Sequence, residues 1–160
     1  MTKPADIGAD TYEEVTPEVD TASSRRKSRS ELTAADIMSR PVLTISVGET
    51  LWEAWSLLYR SGLRHLVVVD GSRCVGVIDD RRIALEWPLS PSRDLARRVG
   101  QVITGRARCV LPDTAVPELA RIMLRNRVDV LPVVTPTGDL TGLVSASDLL
   151  LVLAYQDRDC

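Results

Sequence analysis

The 160-residue chain is 44% hydrophobic and 26% charged, the balance of a folded globular protein and not of a disordered or fibrous one. Its formal net charge of −2 gives no global electrostatic case for nucleic acid or acidic lipid. No apolar run approaches the roughly 18–20 residues that cross a bilayer, and a single histidine (His65) excludes most His-based metal sites and Ser-His or Cys-His nucleophile systems.

The start, MTKPADIGAD, has no apolar leader segment, which makes the cytoplasm the expected location. Residues 1 to 31 read as a mobile tail. An acidic stretch (DTYEEVTPEVD) runs into a basic, serine-rich one (SSRRKSRS), and neither has apolar periodicity. Arg25, Arg26, Lys27 and Arg29 lack interleaved aromatics and are read as solvated charge.

From Glu31 onward the chain repeats itself. Leu51, Ala54, Trp55 and Leu58 fall at the 1, 4, 5, 8 spacing of an amphipathic helix, and Val116, Leu119, Ala120 and Met123 do so 65 positions later. A β-type run follows each helix, LVVV from Leu66 and LPVV from Leu131, and then a turn, DGSR or TPTGD. The second turn carries one extra residue, so Gly76 matches Gly142 at an offset of 66. Each copy continues with a short strand (VGVI or TGLV) and a helix. The unit reads strand, helix, strand, turn, strand, helix. WPLSPS, Trp87 to Ser92, breaks the last helix of the first copy and begins the link. A unit of roughly 60 residues is marginal alone, so two copies are expected to pack face to face as one pseudo-symmetric domain.

The three cysteines, Cys74, Cys109 and Cys160, are far apart and odd in number. They form neither a metal-ligand spacing nor a disulfide framework and are expected to be buried, inert thiols. GLVSASDLLLVLA, Gly142 to Ala154, places two serines and an aspartate at the mouth of an apolar segment. Ser145 has the chemistry of a helix cap, and Asp148 stands three residues on, favourably placed against the helix dipole. Taken alone, the stretch is compatible with capping and with ligand binding.

This duplicated β-α-β-β-α unit, with ADIMSRPVLTIS opening the first copy and LPVV and a Gly-x-x-Ser-x-x-Asp terminus in the second, resembles the CBS-domain pair, or Bateman module, over about residues 32–155. The resemblance implies an α+β (mixed α/β) fold with tandem repeats about a pseudo-two-fold: repeat 1 at 32–88, a linker at 89–98 and repeat 2 at 99–156. Many members of that family bind AMP, ATP or S-adenosylmethionine between the repeats, and they commonly dimerise through their helices. Carried over by position, Asp148 becomes the acceptor for ribose hydroxyls, with Ser145 and Ser147 as phosphate-side or ribose-side donors. A carboxylate can take two vicinal hydroxyls, and a helix N-terminus suits phosphate. Met38, Val42 and Leu43 would flank the base, with Leu63, Arg64 and His65 at the entry to the second strand. Arg64 and His65 match positions where related AMP-binding repeats place basic residues near phosphate. A surface arginine and a half-buried strand-start histidine are the plain alternatives.

The equivalent pocket departs from the pattern, because Asp79-Asp80-Arg81-Arg82 stands where the second copy has Ser145-Ala146-Ser147-Asp148. Asp79 can still cap the helix, but Arg82 cannot accept a hydrogen bond, so ordinary adenosine binding is not expected there. The resemblance therefore implies a regulatory module for an adenosine-containing ligand (AMP, ADP, ATP or S-adenosylmethionine) that signals to another protein, with one ligand per chain. The alternative is a ligand-free structural dimer. Neither a GxxxxGK loop nor a nucleophile–base pair is present, so no enzyme activity, cofactor or metal is expected. A homodimer with Trp52 or Trp55 near its interface, no membrane and no nucleic-acid partner complete the expectation.

Overall fold

The computed structural model describes residues 28, 31–86, 97–103, 105 and 107–155. Most of the tail expected at 1–31 (1–27, 29 and 30), the WPLSPS break, most of the expected linker and Cys160 lie outside the described residues, whereas Ser28 and Glu31 at the tail's end are hydrogen-bonded to each other. The first copy comprises α1 (Ala34–Ile37), β1 (Thr44–Ser46), α2 (Leu51–Ser61), β2 (His65–Asp70), β3 (Arg73–Asp79) and α3 (Asp80–Glu86). The second comprises α4 (Val99–Val102), α5 (Val116–Asn126), β4 (Val130–Val134), β5 (Leu140–Ser145) and α6 (Ala146–Tyr155). The fold is the expected mixed α/β arrangement of tandem repeats.

Helix α2 begins where Thr50 and Glu53 bond reciprocally: the Glu53 N–H donates to Thr50 Oγ1, and the Glu53 carboxylate accepts from the Thr50 N–H at 2.8 Å. It ends at Gly62, whose φ of 66° is left-handed. Leu51, Ala54 and Leu58 are buried, whereas Trp55, the fourth member of the stripe, stays 37% exposed at its edge. Helix α5 repeats this with Val116, Leu119 and Met123 buried and Ala120 half-buried. Its left-handed C-cap falls on Arg127, 65 positions after Gly62, at φ 54°.

In the first copy β1 pairs parallel with β2, Ile45 opposite Val68, and β2 pairs antiparallel with β3. In the second copy β4 pairs antiparallel with β5, and the strand expected ahead of α5 shrinks to a single parallel bridge, Val110 opposite Val133. Both bridges keep the 65-residue offset. The shortening has a backbone cause. The Val47 N–H donates to the Val69 carbonyl in the first copy, but the matching residue is Pro112, which has no N–H to give.

The opening segments are exchanged between copies. The Ala34 and Ala35 N–H groups donate to the Thr114 and Pro112 carbonyls, the Val116 N–H donates to Leu32, and Thr33 bridges Ala115. Symmetrically, the Leu51 N–H donates to Arg97, the Val99 N–H to Glu49 and the Gly100 N–H to Val47, and Thr50 bridges Arg98. Thus Val99 and Val102 complete the first core with Ile45, Leu66, Ile78 and Ile83, while Ala34 completes the second with Leu119, Leu131, Val133 and Val144. Burying a valine contributes roughly 1.5–3 kcal/mol, so Val99 and Val102 anchor α4 firmly in the first copy, while α1 enters the second with Ala34 buried and Leu32, Ile37 and Met38 partly buried around it.

The two hairpin turns meet on the pseudo-two-fold axis. Arg73 bridges Asp139, its own mate at the 66-residue offset. The flanking bonds, Cys74 N–H to Gly138 and Leu140 N–H to Ser72, are symmetry copies of each other. The Asp139 carboxylate accepts from the Ser72 and Thr137 hydroxyls, which hold it below the ordinary carboxylate range.

Candidate functional site

Strand β5 runs directly into α6 at Ser145-Ala146, which brings Ser145, Ser147 and Asp148 onto one helix N-terminus. The Ser145 N–H and hydroxyl both donate to Asp148 Oδ2, at 2.6 and 2.7 Å, and the Asp148 N–H returns a bond to Ser145 Oγ at 3.3 Å. This reciprocal cap uses one carboxylate oxygen. Among the described residues Oδ1 makes no hydrogen bond, and Asp148 remains half-exposed. Capping and ligand binding therefore use different atoms of the same side chain. Ser147 is exposed beside it.

Two segments of the first copy reach this end of the second. Ser39 exchanges two backbone hydrogen bonds with Leu143, and the Met38 side chain lies over Gly142, where there is room only because that residue has no Cβ. From the other direction, His65 at the start of β2 places Nε2 3.0 Å from Asp129 Oδ1. The Asp129 carbonyl in turn accepts from the Ala146 N–H at the mouth of α6. Met38, His65 and the Ser145–Asp148 turn are thus joined through Leu143 and Asp129.

The other candidates stand further from that turn's bonding. Arg64 is exposed and 3.8 Å from Asp80, its side chain set toward its own copy. Leu63 is 52% exposed in the loop after α2. Leu43 packs against the first core, its carbonyl accepting from the Val67 N–H, and Val42 is half-buried just before it. Asp129 was not among the candidates. It could have been found by arithmetic, because it lies 65 positions after Arg64.

The equivalent position in the first copy is filled from within. Asp79 Oδ1 accepts from the Arg82 N–H at 2.5 Å, so the cap survives as expected. The Arg82 guanidinium donates to the Val102 carbonyl at 3.2 Å and pairs with Glu86 at 2.8 Å, and Arg97 takes the other Glu86 oxygen at 2.7 Å. A carboxylate of the chain already sits between the two arginines. Apart from both of these places, an open groove of about 890 Å³ runs over β1 and α2, lined by Thr44, Ser46, Trp52, Trp55 and Tyr59. At its rim Glu53 is held low by the Thr50 backbone N–H, and Glu49 is raised by hydrogen bonding to Glu53 and by its charge. The groove shares no residue with the nine candidates.

Among the described residues no helix is long and apolar enough to cross a membrane, and no cluster of His, Cys, Asp and Glu could hold a metal ion. A family model described as CBS domain matches twice, at residues 34–87 and 99–155. The chain is 29% identical over 116 residues to an inosine-5'-monophosphate dehydrogenase of Korarchaeum cryptofilum, covering 72% of this chain but only 23% of that enzyme. It is 32% identical over 120 residues to an uncharacterized 17.7 kDa protein of Acidianus ambivalens, covering 74% of this chain and 71% of that one. Among solved structures it resembles the cytosolic domain of the Mg2+ channel MgtE in complex with ATP, with TM-score 0.64 and 28% identity over 75% of this chain and 48% of that one. The CBS domain pair of MJ0100, solved with 5'-methylthioadenosine and S-adenosyl-L-methionine, superposes with TM-score 0.69 at 23% identity, over 79% of this chain and 98% of that one.

Proposed function

Because the chain belongs to the CBS domain family, with two copies of the domain, we propose that it is a regulatory module that binds an adenosine-containing nucleotide between the copies and signals to another protein. The observation that carries this reading is the division of labour in Asp148: Oδ2 completes the helix cap while Oδ1 keeps its lone pairs for a ribose. The adjoining N-terminus of α6 offers N–H groups and a favourable field for phosphate. His65 and the apolar body of Met38 flank that turn through Asp129 and Gly142. The MgtE domain is solved with ATP, which supports the ligand class. The Arg82–Glu86–Arg97 cluster supports one ligand per chain, because its place in the first copy is taken by Glu86.

Calorimetry with AMP, ADP, ATP and S-adenosylmethionine tests the reading. One site per chain is expected. Asp148→Asn should weaken binding by about one to two orders of magnitude, the worth of a charge-assisted bond of roughly 1.5–3 kcal/mol. Arg82→Ala should leave affinity unchanged. Two equivalent sites, or full affinity in Asp148→Asn, would overturn it.

A second reading, a ligand-free dimer that acts as an interaction scaffold, is favoured by the surface of α6. Leu150, Leu151 and Leu153 are each at least 50% exposed, and Tyr59 on α2 is 80% exposed. Large apolar side chains grouped on helices mark association surfaces. No thermal shift with any of the nucleotides would select this reading.

A further inference from the structure

Cys74 and Cys109 are 35 positions apart and belong to different copies, yet their sulfurs lie 3.6 Å from each other and both side chains are half-buried. The thiols expected to be buried are only half-buried, and the topology brings together what the spacing keeps apart. Cys109 immediately precedes Val110, whose N–H donates to Pro132 and whose carbonyl accepts from Val134, so its backbone is pinned to β4. Cys74 stands on β3 opposite Val69, where the β2–β3 register slips between Val68 and Val69. A bulge of this kind disrupts the ladder locally and bends its strand. The Cys74 backbone is likewise tied to the second copy, its N–H donating to Gly138, and the β4–β5 register slips in the same way between Val133 and Val134. The two thiols are also hydrogen-bond partners. Cys74 as hydrogen-bond partner draws the Cys109 thiol below its usual range, while the same contact and burial push Cys74 far up. A thiolate beside a protonated thiol is the form in which such a pair attacks an oxidant.

We propose that Cys74 and Cys109 are an oxidisable pair that closes to an intramolecular disulfide on exposure to a peroxide, covalently fastening the first copy to the second. The Cys109 thiolate attacks one peroxide oxygen, breaking the O–O bond to give a sulfenic acid and hydroxide, which takes a proton to become water. The Cys74 sulfur then attacks the sulfenic sulfur. The S–O bond breaks, and the hydroxyl leaves with the Cys74 proton as a second water. Two thiols and one hydrogen peroxide thus yield one disulfide and two waters. Closing from 3.6 Å to the S–S distance of about 2.05 Å needs an approach of about 1.5 Å. The bond would form one residue from the Arg73–Asp139 bridge, where the copies already meet.

The test uses the full chain carrying Cys160→Ser, treated with one equivalent of hydrogen peroxide. The expected result is a monomer lighter by about 2 Da with both thiols lost to titration. Its tryptic digest should contain Cys74–Arg81 joined to Cys109–Arg121, and dithiothreitol should reverse the link. The same linked pair should appear in the digest of the unmodified sequence and vanish from Cys74→Ser and from Cys109→Ser. Two thiols that stay titratable, oxygen added to single cysteines without a link, or disulfides only between chains would each overturn the proposal.

Discussion

Gly142→Ala is the smallest change that should disturb the exchange between the copies. A Cβ built on Gly142 would fall 2.8 Å from Met38 Cγ and 3.1 Å from Met38 Cβ, with Sδ closer still. The Met38 side chain must therefore leave its place over β5. Met38 is half-buried, and forcing a packed side chain aside for one inserted methyl costs roughly 1–3 kcal/mol. Replacing a strand glycine by alanine returns about 0.5–1 kcal/mol of chain entropy, which leaves a net destabilisation of about 0.5–2 kcal/mol. With about 120 ordered residues unfolding at ~2.1 cal/mol/K each, the melting temperature should fall by roughly 2–8 °C. The symmetry mate gives an internal control. At Gly76 a Cβ would meet Ile103, the mate of Met38, at no closer than 3.2 Å, so Gly76→Ala should cost less. Thermal and urea melts of Gly142→Ala, Met38→Ala and the double variant complete the test. The double variant should be more stable than the sum of the single losses predicts, because each change removes the other's clash or cavity. Strict additivity, or a Gly142→Ala protein as stable as the parent, would refute the packing argument.

Asp139 titrates below its unfolded value, held chiefly by the Ser72 hydroxyl and then by Thr137. Its contribution to stability is present above about pH 4 and is lost as the pH falls through the folded pKa; Asp139→Asn should flatten that part of a melting-temperature profile between pH 5 and pH 2. Trp52→Glu on α2 should shift a homodimer toward monomer in sedimentation velocity; a parent chain that stays monomeric at every concentration would remove the dimer. Deleting residues 1–27, which carry no core-facing pattern, should leave the melting temperature within a degree or two, and a loss of several degrees would show that the segment packs on the domain.

The repeat made much of this fold legible in advance. Because the helix stripes and strand runs recur at one offset, Ile45–Val68 and Val110–Val133 could be paired as equivalents before any coordinates. What pattern could not supply is which copy an opening segment joins. Ala34 and Ile37 are apolar and three positions apart on α1, Leu32 stands just ahead of the Thr33 cap, and all three would suit either core; the choice is made by backbone bonds to Pro112, Thr114 and Val116. Trp55 shows the same limit at one residue, since periodicity assigns it to the buried stripe and the neighbouring elements leave it 37% exposed. In the site, Ser145 and Asp148 were readable because a cap is local chemistry. The contacts of His65 with Asp129 and of Cys74 with Cys109 were not, because each spans the two copies; the 65-residue offset marks Asp129 as the mate of Arg64 but not as the partner of His65.

The exchanged openings also bear on how such a chain can be divided. A cut in the 87–96 segment yields two pieces that each hold a complete sequence repeat, yet neither holds a complete core. The first piece lacks Val99 and Val102, and the second lacks Ala34. Each fragment would expose an apolar socket shaped for a plug that the other carries, and it carries a plug with no socket of its own. Mixed together, the halves are mutual ligands, and their recombination would be governed by concentration like any bimolecular reaction. The unit that can be moved intact between proteins, or appended to another chain by gene fusion, is accordingly the pair. Half of it travels as an adhesive fragment.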